Sequence, residues 1–538
     1  MTTSRQDRIA ALPPHLQDAL HRRLAGTTRP TTRIPAAART QPLPLSSAQR
    51  RLWFLDRLRP GDPGYNSVLA LRLTGELDVP ALANALRLLV ARHESLRTTF
   101  DEVNGEGVQI VHPMSAVPLP VVDVAPGDLD KVLHEEYSRP FDLRHGPLLR
   151  ALVARLGARE HVLLLCVHHI VTDGWSMGVL TEELAALYAA GDHADLPPQP
   201  VRYADFAAWQ HEQRSAADHL DYWRRQLAGL TPLDLPTDRP RPATVSTAGA
   251  VREFTVPAAV ATRLTQLART GETTLFTVLL TVCQVLFARI TGQRDVTLGT
   301  VVQGRDLPEL ERVVGFFVNT VVLRSEVDIS RSFLELLGGA RQTVLDSFAH
   351  DVPFDLLVDA VGAERDPGRN PLFDVMVTLQ GAAARPSFDG LAVEPVDVAR
   401  ESANFDLTIE FQETGGGDLA GLVEYRTDLF DADTIDRLVN WLNLLLTGIT
   451  ADPGCRVGDL PLVTDELDGR GVVREVPDTT VVDLLVEQAR CRPDDVALVG
   501  GCERLTFAEL VGRVDGLAAD LVARGAGPER VVAVALPR

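Results

Sequence analysis

Two adjacent histidines, His168 and His169, end an apolar run and are followed closely by Asp173 and Gly174. The run VLLLCVHH is typical of a buried strand, Asp–Gly is a turn signal, and the residues from Ser176 onward have helical spacing. Because adjacent strand residues point to opposite faces, only one of the two rings can face a given cleft. That geometry disfavours a metal chelate and favours one histidine for chemistry and one for support. Since histidine titrates near neutral pH, the segment predicts general acid–base chemistry.

The same segment contains a second candidate nucleophile. Residues 174–178, GWSMG, match the GxSxG pattern of serine hydrolases in a strand–turn–helix context. In that interpretation Ser176 attacks the substrate and a later histidine such as His350 is its base. However, the strand of such an elbow runs almost directly into the turn, whereas five residues separate His168 from Gly174 here. The histidine pair would also have no role, so the serine hydrolase is a remote alternative.

Strand-like and helical patterns alternate between residues 45 and 460, which predicts an α/β or α+β fold. A proline- and threonine-rich stretch at 226–247 divides this region into two portions of similar size. Residues 4–26 have the spacing of an amphipathic helix, either packed on the domain or docking another subunit, and 27–44 have the composition of a linker. The clearest strand patterns are SVLALRL, VLLLCVHH, DVTLGTVV, VVLRSEV and LFDVMVTL, and the clearest helical patterns are PALANALRLLVARH, MGVLTEELAALYAA, TLFTVLLTVCQVLFARI and TIDRLVNWLNLLLTG.

The composition argues against several classes of protein. The 538-residue chain has a formal net charge of −20, so it repels phosphate backbones and nucleic acid is not expected as a partner. We find no run of about twenty apolar residues and no secretory signal pattern, so we expect no membrane span and a cytoplasmic location. The five cysteines have no regular spacing, which argues against a disulfide framework or a zinc site. We expect this chain to bind no metal or cofactor of its own.

The spacing HHxxxDG after an apolar strand resembles the active-site motif of the coenzyme A- and carrier-protein-dependent acyltransferases, a superfamily that includes chloramphenicol acetyltransferase. Further motifs are similar, in order, to those of the condensation domains of nonribosomal peptide synthetases. With seven such motifs over residues 45–375, the chain is identified as a member of the condensation family. The motifs are SAQRRLWFL (47–55), RHESLRTTF (92–100), HHIVTDG (168–174), YADFAAW (203–209), GFFVNT (315–320), HDVPFDLLV (350–358) and GRNPLF (368–373).

This resemblance implies a fold of two chloramphenicol acetyltransferase-like lobes, at 45–225 and 226–460, that form a V-shaped pseudo-dimer around a central channel. It also implies an activity, namely peptide-bond formation between a donor acyl or peptidyl thioester and an acceptor aminoacyl thioester. Both groups would enter the channel on the phosphopantetheine arms of partner carrier proteins.

The resemblance also assigns roles within the HHxxxDG motif. His169 is expected to be catalytic, whereas His168, Asp173 and Gly174 are expected to support it. In this family the aspartate pairs with an arginine, and Arg289 is our candidate for that partner. The aromatic residues of the motifs are expected to pack in the core or between the lobes, namely Trp53, Phe206, Trp209, Phe316, Phe317 and Phe373.

The ends of the chain predict further partners. The helical segment 1–26 is docking-like, so we expect a donor carrier protein on a separate polypeptide to dock there, and an acceptor carrier downstream. After a polar linker at 461–478, residues 479–538 resemble the start of an adenylation domain, since LTFAEL (505–510) is similar to that family's first motif. The strand-like VVAVAL close to Arg538 predicts that this adenylation domain, present in cis, is truncated here.

Alternatives remain within the same superfamily. The nearest is an ester-forming enzyme or a starter acyltransferase. Heterocyclising relatives carry aspartate in place of the histidine pair, and epimerising relatives do not normally show GRNPLF, so both are less favoured. A non-enzymatic platform that recruits other proteins is a further alternative, although a platform has no need of His169.

Overall fold

The computed structural model contains two compact units, Met1–Thr464 and Asp465–Arg538. The predicted helix at 4–26, much of the predicted linker at 27–44 and most of the linker at 461–478 lie outside the described residues. The structure describes residues 34–39, 42–212, 217–244, 246–362, 366, 368–381, 386–399, 401–463, 479–500 and 503–535.

The first unit is a mixed α/β structure in which every strand and helix pattern named above between residues 45 and 460 forms the predicted element. Its helices are α1 (Ser47–Leu58), α2 (Val79–Arg92), α3 (Leu129–Ser138), α4 (Gly174–Ala190), α5 (Tyr203–Glu212), α6 (Ala217–Gln226), α7 (Ala258–Thr270), α8 (Leu275–Thr291), α9 (Phe333–Ala349), α10 (Phe354–Val361) and α11 (Ala432–Ala451). Its strands are β1 (Leu43–Pro44), β2 (Asn66–Gly75), β3 (Thr98–Val103), β4 (Glu106–Val111), β5 (Val121–Asp123), β6 (Leu149–Gly157), β7 (Glu160–His168), β8 (Gly249–Val256), β9 (Asp295–Val302), β10 (Asn319–Glu326), β11 (Val375–Gln380), β12 (Leu391–Pro395), β13 (Leu407–Glu413) and β14 (Leu419–Arg426).

The first lobe is built on a five-stranded sheet of order β12–β2–β7–β6–β5. Its central strand β7 is apolar on both faces because both faces are covered. Leu163, Leu165 and Val167 face the core that also contains residues of α2 and α4. Val162 and Leu164 face the smaller core on the other side, which contains residues of α3. This two-sided burial explains the unbroken apolar run, and it fixes the position of His168 at the end of a rigid strand.

The second lobe is built on a six-stranded sheet of order β10–β9–β11–β13–β14–β8. Helix α8 packs between this sheet and helices α7, α9 and α11, and every residue from Thr277 to Ala288 is buried. Thr274 caps its N-terminus, and Gly292 ends it in the left-handed conformation (φ 73°) that glycine adopts readily. Among the described helices none alone is long and apolar enough to cross a membrane. Helices α7 and α8 reach that length and apolar composition only together, and they are bent by 105° relative to each other.

The two lobes exchange parts of the chain. Strand β12 comes from the second half of the sequence, but it pairs antiparallel with β2 and so completes the sheet of the first lobe. All of helix α6 except its last residue precedes the expected lobe boundary at 225/226, yet its Trp223 is buried in the core of the second lobe. Leu233 and Leu235 of the proline-rich stretch are buried in the same core. That stretch therefore lies along the second lobe, and α6 contributes Trp223 to the same core.

The last part of the predicted linker is packed across both lobes. Ile34 is only 4% exposed, and its backbone N–H donates to Glu309 of the second lobe at 3.0 Å. Arg39 donates to Asp205 at 2.8 Å and to Glu94 at 2.9 Å, both in the first lobe. Residues 34–39 therefore belong to the folded domain.

The second unit contains helix α12 (Val481–Cys491), hairpin strands β15 (Val496–Gly500) and β16 (Glu503–Thr506), and helix α13 (Phe507–Ala523). The strand predicted for VVAVAL is wrong over its described part, because residues 531–535 form no strand and Val531 is 98% exposed. A strand needs a neighbour to accept its backbone hydrogen bonds, and the described part of this unit offers only the short hairpin. The apolar, β-branched sequence of this segment is therefore not sufficient by itself to form a strand.

Candidate active site

The HHxxxDG segment is a strand, a tight turn and a helix. Strand β7 ends at His168, a 3-10 turn spans His169–Val171, and α4 begins at Gly174. Asp173 caps this helix, since its Oδ1 accepts the backbone N–H of Ser176 at 2.8 Å. The order of elements agrees with the sequence prediction, except that His169 lies in the turn and not on the strand.

His169 is held in a defined protonation pattern. Its Nδ1 lies 2.7 Å from the carbonyl oxygen of Thr172. Because a carbonyl oxygen only accepts, Nδ1 must carry the proton, and in the neutral ring Nε2 then carries a lone pair. Nε2 has no hydrogen-bond partner among the described residues, and the side chain is only partly buried. The ring of Phe316 contacts the imidazole with a centroid separation of 4.8 Å. The free nitrogen can therefore accept a proton from a bound substrate.

His168 has the opposite environment. It is buried, its Nδ1 accepts the backbone N–H of Ile170 at 3.1 Å, and Phe141 packs edge-on at 6.0 Å between centroids. Burial, and secondarily the neighbouring His169 and Arg150, lower the pKa of His168 to about 3. The folded protein therefore keeps this ring neutral at neutral and mildly acidic pH, and the ring supports the turn.

The buried neutral ring of His168 predicts a loss of stability in acid. Below its ordinary pKa of 6.5 the unfolded chain binds a proton that the folded chain refuses until about pH 3. The free energy of unfolding therefore falls as the pH drops through this window, by about 2 kcal/mol at pH 5 from this residue alone. His168→Asn keeps an acceptor for Ile170 and cannot titrate, so its free energy of unfolding should fall by that much less between pH 7 and pH 5.

Urea unfolding of both proteins at the two pH values measures this difference. The comparison between variant and wild type is needed because Asp374 changes the free energy of unfolding with pH in the opposite direction. Burial and the nearby Asp406 raise the pKa of Asp374, so that the folded state takes up its proton first. Equal acid sensitivity of wild type and His168→Asn would contradict a neutral His168.

Asp173 pairs with Arg305, and our assignment of Arg289 as its partner is wrong. Arg305 donates to both carboxylate oxygens at 2.8 and 3.1 Å, and the two side chains are 4% and 0% exposed. Arg289 instead donates to the carbonyl oxygens of Val457 and Leu460 at 2.7 and 3.0 Å. Arg305 follows β9 in the second lobe and reaches across to the first lobe, a contact that sequence spacing does not encode.

Ser176 is a structural residue, which excludes the serine hydrolase. The side chain is fully buried. Its hydroxyl donates to the Gly315 carbonyl oxygen at 2.9 Å, and accepts from Arg305 at 2.7 Å and from the Gly315 N–H at 3.1 Å. One donor and two acceptor sites are thereby all used. His350, the proposed base, is instead stacked on Tyr222 at 4.0 Å between centroids.

Gly174 opens onto free space. A Cβ atom added to this residue meets no heavy atom within 4 Å, and the residue is exposed beside the turn that carries His169. Packing of the protein against itself therefore does not require glycine here. Gly174 is also the first residue of a 17-residue helix, whose first N–H groups point outward with the positive end of the helix dipole.

Other motif residues have structural partners. Arg92 pairs with the fully buried Glu183 at 2.8 Å. Asn319 donates to Asp351 and to the Val352 carbonyl, at 2.6 and 2.7 Å, and thereby supports the loop before α10. Within the described ranges no group of three or more His, Cys, Asp or Glu residues could hold a metal ion.

Comparison with known proteins agrees with this geometry. The family model described as "Condensation domain" matches residues 39–468. A linear gramicidin synthase of Brevibacillus parabrevis is 40% identical over 98% of this chain, and the phosphinothricin tripeptide synthetase PhsC of Streptomyces viridochromogenes is 40% identical over 99%. The chain spans only 7% and 51% of the lengths of these two relatives.

Solved structures show the same fold. The X-domain from teicoplanin biosynthesis has a TM-score of 0.73 and 30% identity, covering 80% of this chain and all of that one. A four-domain nonribosomal peptide synthetase, holo-AB3403, has a TM-score of 0.77 over 92% of this chain and 40% of that chain, and its 24% identity supports the fold alone. The expected chloramphenicol acetyltransferase-like fold is confirmed. The chain therefore belongs to the condensation domain family of nonribosomal peptide synthetases.

Proposed function

We propose that this condensation domain joins a donor acyl group to the amine of an acceptor, both presented as thioesters on phosphopantetheine arms of carrier proteins. The observation that carries this proposal is the state of His169. Its Nδ1 proton is engaged by the Thr172 carbonyl at 2.7 Å, which leaves Nε2 free to accept. An attacking amine must lose one proton, so an aligned acceptor with a free lone pair is the group that the reaction needs.

The chemistry is a single acyl transfer. The amine lone pair of the acceptor attacks the thioester carbonyl carbon, a C–N bond forms and the C–S bond breaks. His169 Nε2 takes the proton from the nitrogen and returns it to the departing thiolate, which leaves as the free thiol of the donor arm. Because the thioester is already reactive, alignment of the two reactants contributes most, and near-attack positioning can supply about 7–11 kcal/mol.

Gly174 contributes to this reaction through its lack of a side chain. The space above it, free of protein atoms within 4 Å of a Cβ position, is where the thioester would lie beside His169. The N–H groups at the start of α4 would face the carbonyl oxygen as it gains negative charge. In this proposal a channel between the lobes, with a carrier protein at each mouth, would admit both phosphopantetheine arms.

The partners follow from the same proposal. The donor carrier would dock through residues 1–26 from a separate polypeptide, and the acceptor carrier would follow an adenylation domain that starts within 479–538. The two arms are substrates, so the chain itself needs no resident cofactor. Such a system works in the cytoplasm.

The sharpest test places the same bulk at two exposed glycines of one helix. Gly174 and Gly178 both lie on α4, and neither has a heavy atom within 4 Å of an added Cβ. Gly174→Leu should lower product formation at least tenfold by filling the space beside His169, whereas Gly178→Leu should be active. The measurement is mass spectrometry of the acceptor carrier after incubation with a loaded donor carrier.

The product mass and stability decide between the alternatives. An amide survives mild alkaline treatment that cleaves an ester, which separates peptide-bond formation from the ester-forming alternative. Transfer from an acyl-coenzyme A in place of a loaded carrier would favour a starter acyltransferase. If both glycine variants equal the wild type, the placement of the thioester beside Gly174 is contradicted. If the wild type forms no product, the proposed reaction itself is contradicted. The non-enzymatic platform then gains weight, since the X-domain that resembles this chain has been solved in complex with OxyB.

A further inference from the structure

Three consecutive residues of the second lobe, Gly315–Phe317, are held by side chains of the first lobe. The Ser176 hydroxyl bonds to both the N–H and the carbonyl oxygen of Gly315, at 3.1 and 2.9 Å. The Tyr203 hydroxyl donates to the carbonyl oxygen of Phe316. The backbone N–H of Phe317 donates to Asp173 at 3.1 Å. The backbone of this peptide is thus fixed relative to the HHxxxDG turn.

The fixed backbone determines where the two phenylalanine rings go. Gly315 cannot carry a side chain, because an added Cβ would lie 1.8 Å from Tyr203. Phe317 is buried and packs against Tyr203 and Phe206, with centroid separations of 4.8 and 4.7 Å. The Phe316 side chain does not join this cluster, and its partly buried ring lies against the imidazole of His169.

His169 needs a second restraint. Its one hydrogen bond, from Nδ1 to the Thr172 carbonyl, fixes one edge of the ring but does not prevent the plane from tilting about that bond. The Phe316 ring packs against the imidazole, with a centroid separation of 4.8 Å and an angle of 64° between the planes, so it is a neighbour that can limit such a tilt. Aromatic pairs in this edge-on arrangement are attractive beyond their buried area.

We propose that Phe316 is a positioning residue for His169, which fixes the imidazole plane so that Nε2 faces the acceptor amine, and that Ser176 acts through it. The inference rests on the proposed function and extends it, because it makes the catalytic geometry depend on the second lobe. The two lobes must be seated on each other for His169 to be aligned. The packing role that we expected for Phe316 is therefore only part of its contribution.

The expected kinetic effect is selective. Phe316→Ala should lower kcat by about three- to tenfold, since one aromatic contact is lost, and should leave the KM for either carrier unchanged. Phe316→Tyr keeps the ring and should retain most of the activity. Ser176→Ala should act in the same direction, and the double variant should lose less than the product of the two single losses, because both residues act on one imidazole.

A second measurement does not depend on the reaction. Diethyl pyrocarbonate acylates neutral imidazoles, and peptide mass spectrometry reports the rate at His169 separately. Without the Phe316 ring, His169 should react at least twofold faster, measured against His145, whose side chain is 75% exposed. Phe254→Ala is the matched control. Its half-buried ring in the second lobe packs edge-on against Phe411 at 5.8 Å, and its loss should leave the His169 rate unchanged.

The outcomes separate the two proposals. A normal kcat together with a normal labelling rate in Phe316→Ala overturns the positioning role, whatever the reaction proves to be. A parallel rise in the labelling rate at every histidine also overturns it, because the variant would then have loosened the whole fold. Phe316→Leu repeats the test with a smaller loss of packing. If the wild type makes no product, the proposed function fails, while the labelling rates still decide the role of Phe316.

Discussion

Replacing His169 with alanine should lower the rate of product formation by about 10²–10⁴-fold, the usual contribution of a positioned general base. The reason is that Nε2 of this ring is the free acceptor in the motif, since its Nδ1 proton is held by Thr172. Carrier binding should be unchanged, because the loss concerns a group that acts on the reacting nitrogen. Single-turnover reactions between loaded carriers measure the chemical step directly.

His168→Asn is the matched control for this prediction. It changes the adjacent histidine and keeps the acceptor for the Ile170 N–H, so its rate should lie within a few-fold of the wild type. A loss below about tenfold in His169→Ala would contradict the general-base role. In that case alignment of the two thioesters by the lobes would account for most of the catalysis.

Features that depend on local patterns were predictable. Strand β7 is buried on both faces, so its apolar run and its end at the histidine pair were visible in the sequence. Helix α8 is likewise buried all round and predominantly apolar, because it is enclosed between a sheet and other helices. Where the environment of a segment is uniform along its length, composition alone reports it.

Features that depend on contacts between the lobes were not predictable. Arg305 is one of many arginines in the sequence, and only the packing of the second lobe on α4 selects it as the partner of Asp173. Phe316 and Phe317 are adjacent and identical, yet one is buried in an aromatic cluster and the other contacts His169. The packing of α6 was not predictable for the same reason, because its Trp223 is buried in the core of the second lobe.

The serine hydrolase pattern shows how a short motif can mislead. Residues 174–178 fit GxSxG and have the strand–turn–helix context, but the helix starts at Gly174 and Ser176 therefore lies in its first turn. There the hydroxyl points into the second lobe and is fully hydrogen bonded. The accessible group of this segment is the imidazole of His169, in the turn that precedes the helix, and not the hydroxyl.

Arg305→Met should destabilise the first unit by about 3 kcal/mol, because it leaves the carboxylate of Asp173 buried without its cation. The arginine also donates to Ser176 and lies over the Phe317 ring at 4.2 Å, so the contact between the lobes is weakened as well. Urea unfolding measures the free energy of unfolding. Product formation should also fall, because Asp173 caps the helix that follows the His169 turn and Ser176 holds the Gly315 backbone.

The control and a double variant identify the buried charge as the cause. Arg252 makes a similar bidentate pair with Asp436, at 2.5 and 2.6 Å, but on the surface, so Arg252→Met should change the stability far less. Adding Asp173→Asn to Arg305→Met removes the unpaired charge and keeps an acceptor for the Ser176 N–H, while the Phe317 N–H loses its acceptor. Because an unpaired buried charge costs more than one lost neutral hydrogen bond, the double variant should be more stable than Arg305→Met alone. A double variant that is less stable by the sum of the two single losses would show that Asp173 and Arg305 act independently, and that the buried pair does not hold the lobes together.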